Sequence, residues 1–159
     1  GKKINTWGKN IYVKVPVTNS KGKFMGKVIN FLNKKNIKLN ITAVYTAKQT
    51  KMILNQLNKK TKVIISIFAG RMADVGIDPI PEFKKSIKLA KKNKNVEILW
   101  ASTREPYNYT QAKQLKCDII TVPVDILKKL SLYKKNLTKY SIETAKDFYI
   151  DGLKSKFKI

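Results

Sequence analysis

Residues 11–17 are IYVKVPV, a β-branched run that lies between Gly8 and the polar triplet Thr18-Asn19-Ser20. Such residues favour a strand, whose side chains alternate between two faces. The alternation divides the run into Val13, Val15 and Val17 on one face and Tyr12, Lys14 and Pro16 on the other. A lysine in the middle of this strand is unusual, because lysine is depleted from strands and rarely buried.

The position of Lys14 permits two interpretations. It is a solvated lysine, as nearly all the other lysines of the chain must be, or it is buried. Burial disfavours the ammonium form of a lysine and leaves a neutral amine that can attack a carbonyl group. The strand alone leaves both interpretations open.

Four more runs of this type follow, and segments with helical periodicity lie between them. The predicted strands are Ile11–Val17, Leu39–Tyr45, Lys62–Phe68, Val96–Ala101 and Asp118–Val122. The predicted helices are Lys21–Lys35 with Ser20 as its cap, Ala47–Asn58, Glu82–Lys92, Tyr107–Leu115, Val124–Leu130 and Ser141–Lys156. Residues Ala69–Pro81 are rich in Gly, Asp and Pro and are predicted to form a loop.

This alternation is typical of βα units with a parallel sheet, and we expect residues 1–159 to form a single α/β domain. An eight-stranded barrel usually needs about 250 residues. Two architectures remain open: a doubly wound sheet, or the second part of a barrel. The chain begins with Gly1 and not with Met, so we expect a piece of a longer protein.

Composition excludes several kinds of chemistry. The chain has no histidine and one cysteine, Cys117, which rules out histidine-based triads, an internal disulfide and a cysteine metal cluster. No apolar run approaches the roughly 20 residues that span a bilayer, and no signal segment opens the chain, so we expect a cytoplasmic protein that does not enter membranes.

The net charge of +24 invites a nucleic-acid interpretation. All but two of the 34 basic residues are lysines, and they are spread over the predicted helices without forming a local patch. Dedicated nucleic-acid sites usually add arginine forks, stacking aromatics or a known module. Specific nucleic-acid binding is therefore disfavoured, while a noncatalytic basic protein that binds polyanions remains an alternative of another class.

Polar residues gather where the predicted strands end, which is where parallel α/β folds place their sites. The two arginines, Arg71 and Arg104, each follow a strand, and a planar guanidinium suits phosphate better than lysine does. The alternative is a structural pair with Asp74, Asp78 or Glu105. The other candidates are Asn40, Thr42, Ser66, Phe68 and Ser102. For the polar ones among them, the alternative is ordinary polar filling of strand ends.

Taken together, five stretches resemble the transaldolase family, including its fructose-6-phosphate aldolase branch. They are VKVPVTNSKG (13–22), NITAVYTAKQ (40–49), ISIFAGRMADVGIDP (65–79), WASTREP (100–106) and DIITVP (118–123). The resemblance implies a partial TIM (β/α)8 barrel in which this chain supplies strands four to eight. It also implies that the strand-one aspartate, the strand-two asparagine and the strand-three general acid/base lie outside the chain, which therefore lacks full activity alone.

The resemblance assigns a role to each candidate. Lys14 matches the Schiff-base lysine, so we expect a buried catalytic lysine at this position. Asn40 and Thr42 match residues that contact the donor and hold the catalytic water. Ser66, Arg71, Ser102 and Arg104 match contacts to substrate hydroxyls and phosphate.

The implied activity is transfer of a dihydroxyacetone unit between sugar phosphates, as in pentose phosphate metabolism. This activity needs no metal or organic cofactor, which agrees with the lack of histidine. Phe68 stands where transaldolases carry phenylalanine and the aldolase branch carries tyrosine, which favours transfer over aldol cleavage. Trp100 and Glu105 depart from the usual pattern, and Glu105 is a candidate partner of Arg104. An aldolase-type lyase, or an enzyme acting on an unusual sugar for surface polysaccharide, is the alternative. Ring-forming relatives make a homo-oligomer a further expectation.

Overall fold

The computed structural model describes residues 1–155, which form five strands and eight α-helices. The strands are β1 (Val13–Pro16), β2 (Leu39–Val44), β3 (Val63–Phe68), β4 (Val96–Ala101) and β5 (Ile119–Ile120). The helices are α1 (Lys2–Asn5), α2 (Gly26–Lys34), α3 (Ala47–Leu54), α4 (Ala69–Ala73), α5 (Ile80–Ala90), α6 (Tyr107–Leu115), α7 (Val124–Lys129) and α8 (Leu137–Ser155). A 3₁₀ turn at Leu130–Leu132 follows α7.

The five strands form one parallel sheet in the order β1-β2-β3-β4-β5. A doubly wound sheet places its first strand in the interior, because the strand order reverses there. In a barrel, by contrast, each strand pairs with the next strand along the chain. The prediction of an α/β fold with five parallel strands is confirmed, and the strand order selects the barrel-type architecture.

The core lies between one face of the sheet and the helices. Alternate residues of β1–β4, most of them β-branched, point to this face and are almost fully buried, as the alternation predicts. On the helical side, Ile29 of α2, Ile53 of α3 and Phe83 of α5 pack against them. Phe83 stacks on Trp100 of β4 with ring centroids 4.6 Å apart. Full burial of a side chain of this size contributes roughly 1.5–3 kcal/mol, so this layer dominates the stability of the sheet.

The first long helix begins later than predicted. It starts at Gly26 and not at Lys21, and its first turn has no capping side chain, so the predicted cap at Ser20 is wrong. Instead, Asn19 Oδ1 accepts hydrogen bonds from the backbone N–H groups of Lys21 and Lys23. Gly22 completes this turn with a φ of 75°. A local side-chain turn at Asn19 therefore replaces the predicted first helical turns.

The predicted loop at residues 69–81 contains the short helix α4. Helix α5 then begins at Ile80, two residues before the predicted start, where Asp78 Oδ1 accepts from the Ile80 N–H. Most other boundaries agree with the prediction to within two residues, but α3 ends at Leu54, β5 has only two residues and α8 begins at Leu137. The predicted end of the last helix, Lys156, lies outside the described residues.

Helix α8 has no buried residue within its 19 residues, and several of its large apolar side chains are exposed. None of the helices in residues 1–155 combines the length and the apolar character that crossing a bilayer requires. Helix α8 is thus an amphipathic surface element.

Gly70 determines how α4 sits against the end of β4. A Cβ atom at this position would lie 1.7 Å from the carbonyl oxygen of Ser102 and 2.8 Å from Cγ of Arg104. The first distance is to backbone, which cannot move aside as a flexible side chain can. Only glycine permits this close approach, and the approach holds two segments of the candidate site together.

We predict that Gly70→Ala lowers the free energy of unfolding by about 1–3 kcal/mol, the usual cost of overpacking. An ordinary glycine-to-alanine change inside a helix does the opposite and stabilises by up to about 1 kcal/mol. Gly152→Ala in α8 is the matched control, because a Cβ there meets no atom within 4 Å. Denaturant unfolding measures both. Equal stability of Gly70→Ala and the wild type would contradict the close-contact argument.

Candidate functional site

The eight predicted site residues line one cavity of about 300 Å³ at the carboxyl ends of the strands. They come from β1, β2 and β3 and from the segments that follow β3 and β4. The residues that line the cavity are Lys14, Asn40, Thr42, Ser66, Phe68, Arg71, Leu99, Ala101, Ser102, Arg104 and Thr121. Residues that are up to 107 positions apart in the chain thus meet because parallel strands end at the same edge.

Lys14 lies on the face of β1 opposite the three buried valines, as the alternation predicts. The prediction that it is buried is wrong for residues 1–155, because its side chain is exposed. The reason is its place in the sheet. β1 is an edge strand that pairs with β2 alone among the described strands, and the helices pack on the other face. Lys14 is in register with Asn40, so their side chains lie side by side.

Asn40 and Ser66 are joined directly. Ser66 is 3% exposed, and its Oγ donates to Oδ1 of Asn40 at 2.7 Å. This bond uses the carbonyl oxygen of Asn40, so the amide nitrogen remains available as a donor. The pair therefore provides a fixed polar contact beside Lys14.

Strand β2 is irregular just beyond this pair. Its register against β3 shifts between Ile41 and Val44, and Ala43 has a φ of 56°. A bulge of this kind re-aims side chains near sites. Here the Thr42 Oγ1 is buried and has no hydrogen-bond partner in the structure. A hydroxyl in this state is ready to bind a substrate group or a water molecule.

Phe68 and Arg71 form the wall beside β3. The Arg71 guanidinium lies over the Phe68 ring, 5.2 Å from its centroid, and Tyr45 packs against the same ring at 5.9 Å. Arg71 has no carboxylate partner within 4.0 Å among the described residues. It also lines a second, larger cavity with Tyr45 and Asp74. Arg71 is thus a cation positioned by stacking, which leaves its N–H donors for an anion.

Arg104 is paired differently. Its Nε donates to Asp74 Oδ1 at 3.0 Å and its Nη2 donates to Oδ2 at 2.6 Å. The hydrogen bond from Arg104 lowers the pKa of the Asp74 carboxyl. Asp74 therefore stabilises the folded state above the ordinary carboxyl pKa, and this contribution is lost as pH falls through the lowered pKa. Asp74 is one of the three acids that we considered as structural partners of the arginines. Glu105, another of the three, makes no ion pair with Arg104.

The backbone of Arg104 is also fixed. The Oδ1 of Asn108 accepts from the N–H groups of Arg104 and Glu105, and Thr103 Oγ1 donates to the carbonyl of Thr121 at 2.6 Å. Ser102 has a φ of 65°, a conformation that non-glycine residues rarely adopt. Strain of this type is found at functional sites, where the surroundings maintain it.

The sequence profile of the Transaldolase/Fructose-6-phosphate aldolase family matches residues 1–157. The chain belongs to this family.

Curated relatives match this chain at similar levels of sequence identity. A probable transaldolase of Methanococcus maripaludis (strain C6) is 31% identical over 136 residues, which are 85% of this chain and 59% of the relative. A probable transaldolase of Thermoanaerobacter sp. (strain X514) is 32% identical over 148 residues, 92% of this chain and 64% of the relative. The chain thus spans about 60% of the length of these relatives.

Sequence reasoning missed several parts of this transaldolase-family site. Gly70 and Asn108 hold the Arg104 segment, and neither was a candidate. Asn108 gave one usable signal, because an Asn in the first turn of a helix often bonds nearby backbone groups. Trp100, noted as a departure from the family pattern, does not line the cavity. Its ring faces α5, where it stacks on Phe83.

We predict that Ser66→Ala destabilises the protein by about 1–3 kcal/mol, because it leaves the Asn40 carbonyl oxygen without its partner. Ser20→Ala is the matched control, since Ser20 is exposed and caps no helix, and we expect it to stay within about 0.5 kcal/mol of the wild type. Thermal or denaturant unfolding measures both. The buried-pair argument fails if the two variants unfold alike.

Proposed function

We propose that this chain carries the Schiff-base lysine of an enzyme that transfers a dihydroxyacetone unit between sugar phosphates. The observation that supports this function best is the convergence of the candidate residues on one cavity. Among its described lining residues, Lys14 is the single lysine of a chain that is crowded with lysines. The names of the relatives, which are probable transaldolases, agree with this activity.

In the proposed reaction, Nζ of Lys14 gives up its proton and attacks the C2 carbonyl of a ketose phosphate. The resulting carbinolamine loses water and gives a protonated imine. The C3–C4 bond then breaks and its electron pair moves toward the imine nitrogen. At the same time the C4 hydroxyl gives up its proton, and C4 leaves as an aldehyde. The remaining enamine attacks an acceptor aldehyde through C3, and water releases the product from Lys14.

Polar neighbours of Lys14 support these steps. The Asn40 amide lies beside Lys14 and is held by Ser66, so it can bond a substrate hydroxyl. The unpartnered hydroxyl of Thr42 can hold the water that forms and later hydrolyses the imine. The cavity lining within residues 1–155 includes no carboxylate. We therefore assign proton transfer at the C4 oxygen to an acid/base group elsewhere in the complete protein.

The two arginines anchor the phosphate in this proposal. Both line the cavity, Arg71 without a carboxylate partner among the described residues and Arg104 with one edge taken by Asp74. Binding at the phosphate, remote from C2, orients the carbonyl toward Lys14 and contributes to the rate of the chemical step. The anchor would favour phosphorylated sugars over unphosphorylated ones as substrates.

The proposal also covers the domain organisation, the location and the assembly of the protein. We expect one domain, a cytoplasmic location and a homo-oligomer. The oligomer is supported by α8, whose exposed apolar residues include Phe148, Tyr149 and Leu153. Burial of these side chains against a second copy would remove them from water.

We predict that borohydride, added with fructose 6-phosphate to the complete protein, reduces the imine and leaves a stable adduct on Lys14. Peptide mass spectrometry locates the adduct. Lys14→Met should abolish trapping and lower kcat by at least about 100-fold, because no other lysine among the described residues lines the cavity. Lys62→Met is the matched control, since Lys62 is an exposed lysine that immediately precedes β3. Trapping on other lysines with Lys14 untouched would refute the mechanism.

We predict that Phe68→Tyr shifts the balance from transfer toward release of free dihydroxyacetone. A phenol at this cavity position can bind a water molecule or help to donate a proton, and a phenyl ring can do neither. Product analysis with and without an acceptor aldehyde measures the ratio, and we expect a change of about tenfold, the low end of typical general acid–base effects. Tyr45→Phe serves as control for the neighbouring ring. An unchanged ratio in Phe68→Tyr would remove Phe68 as the determinant of transfer.

A further inference from the structure

The guanidinium of Arg104 has two edges that can each bond an anion. Asp74 occupies one edge, formed by Nε and Nη2. A guanidinium carries five N–H donors in a planar fork, so Nη1 and the second N–H of Nη2 form another edge. Within residues 1–155, no acceptor contacts Nη1. The second edge can therefore bond a phosphate while Asp74 stays in place.

We propose that Asp74 is a positioning residue that holds Arg104 with its second edge free for the substrate phosphate. The inference rests on the proposed function, because it assigns a role at the same site. It differs from the simpler idea that Asp74 is a structural partner and that Arg104 is unavailable to substrate.

The segment that carries Asp74 is itself fixed. The Asp74 N–H donates to the carbonyl of Gly70 at 2.8 Å, at the end of α4. Gly70 in turn packs against the carbonyl of Ser102 and the side chain of Arg104. The carboxylate and the guanidinium are thus held on two segments that touch, and the contact is not a chance meeting of two mobile side chains.

Exposure argues for positioning over stability. The side chains of Arg104 and Asp74 are 50% and 47% exposed. An ion pair this open to water adds little to the stability of the fold. A long arginine side chain in water samples many rotamers, however, and a two-point contact restricts them. Ordering before the substrate arrives lowers the cost of binding.

The carboxylate also has an opposing effect, because it repels an incoming phosphate. Two features limit this repulsion. Solvent screens the exposed charge, and Arg71 adds a second cation on the same cavity wall. The summed charge of Arg71, Arg104 and Asp74 remains positive. We therefore expect the gain from positioning to exceed the repulsion, and the sign of the Asp74→Ala effect tests this directly.

The experiment is a double-mutant cycle on the complete protein, with the affinity for inorganic phosphate measured by calorimetry. We expect Asp74→Ala to weaken phosphate binding about five- to tenfold, the cost of immobilising one long side chain on binding. Asp74→Glu should restore part of the loss, because it keeps the carboxylate. In the background of Arg104→Ala, Asp74→Ala should cause no further loss and should only relieve the weak repulsion, whereas with Arg71→Ala its effect should add.

Glu105→Gln is the matched control. It removes one negative charge next to Arg104 but leaves the contact with Asp74 intact. Phosphate affinity in this variant should stay the same or rise slightly. Tighter phosphate binding in Asp74→Ala, or additive losses in the Asp74→Ala/Arg104→Ala pair, would overturn the inference.

Lysine trapping with borohydride, measured on the same variants, separates this inference from the proposed function. If Lys14 is trapped but the phosphate cycle shows no coupling between Asp74 and Arg104, the positioning role fails and the Schiff-base function stands. If the coupling is found but Lys14 is never trapped, the positioning role stands and the proposed function fails. The variants should unfold like the wild type, because the exposed pair contributes little to stability.

Discussion

The strict alternation of side chains along the parallel strands is the constraint on which the rest of the structure depends. In β1 to β4 it sends one set of alternate residues, most of them β-branched, to the helices, where they are almost fully buried. The same alternation leaves the polar residues on the opposite face. Since the strands are parallel and pair in sequence order, those residues share one end of the sheet. A shift of one residue in any strand would exchange the two sets.

Two local departures from regular structure refine what the alternation sets up. The bulge at Ala43 leaves the Thr42 hydroxyl buried without a partner, and the positive φ of Ser102 turns the chain so that Arg104 reaches the cavity. Gly70 allows the segments after β3 and β4 to touch. Regular strands thus determine which residues meet, and these irregular positions determine how their polar atoms are oriented.

The five strands, and the place of the eight candidate residues at one end of them, could be predicted from the sequence, because both depend on period-two patterning and on strand ends. The strand order could not, because the patterning left two architectures open. The start of α2 could not, because the Asn19 turn competes locally with a helical pattern that continues through Lys21. The exposure of Lys14 depends on what covers the sheet, which no local pattern encodes. The Arg104–Asp74 contact joins residues 30 positions apart, and the sequence offered three acids as equal partners.

The chemistry of the two arginines explains why they are not lysines in a chain that otherwise uses lysine. Arg71 stacks its planar group on Phe68, and Arg104 forms a two-point contact with Asp74. A lysine ammonium is a point charge, so it can neither stack in this way nor satisfy both carboxylate oxygens in one plane. Each arginine is fixed by one part of its guanidinium and keeps N–H donors for an anion. Lysine at either position would retain the charge but lose its orientation.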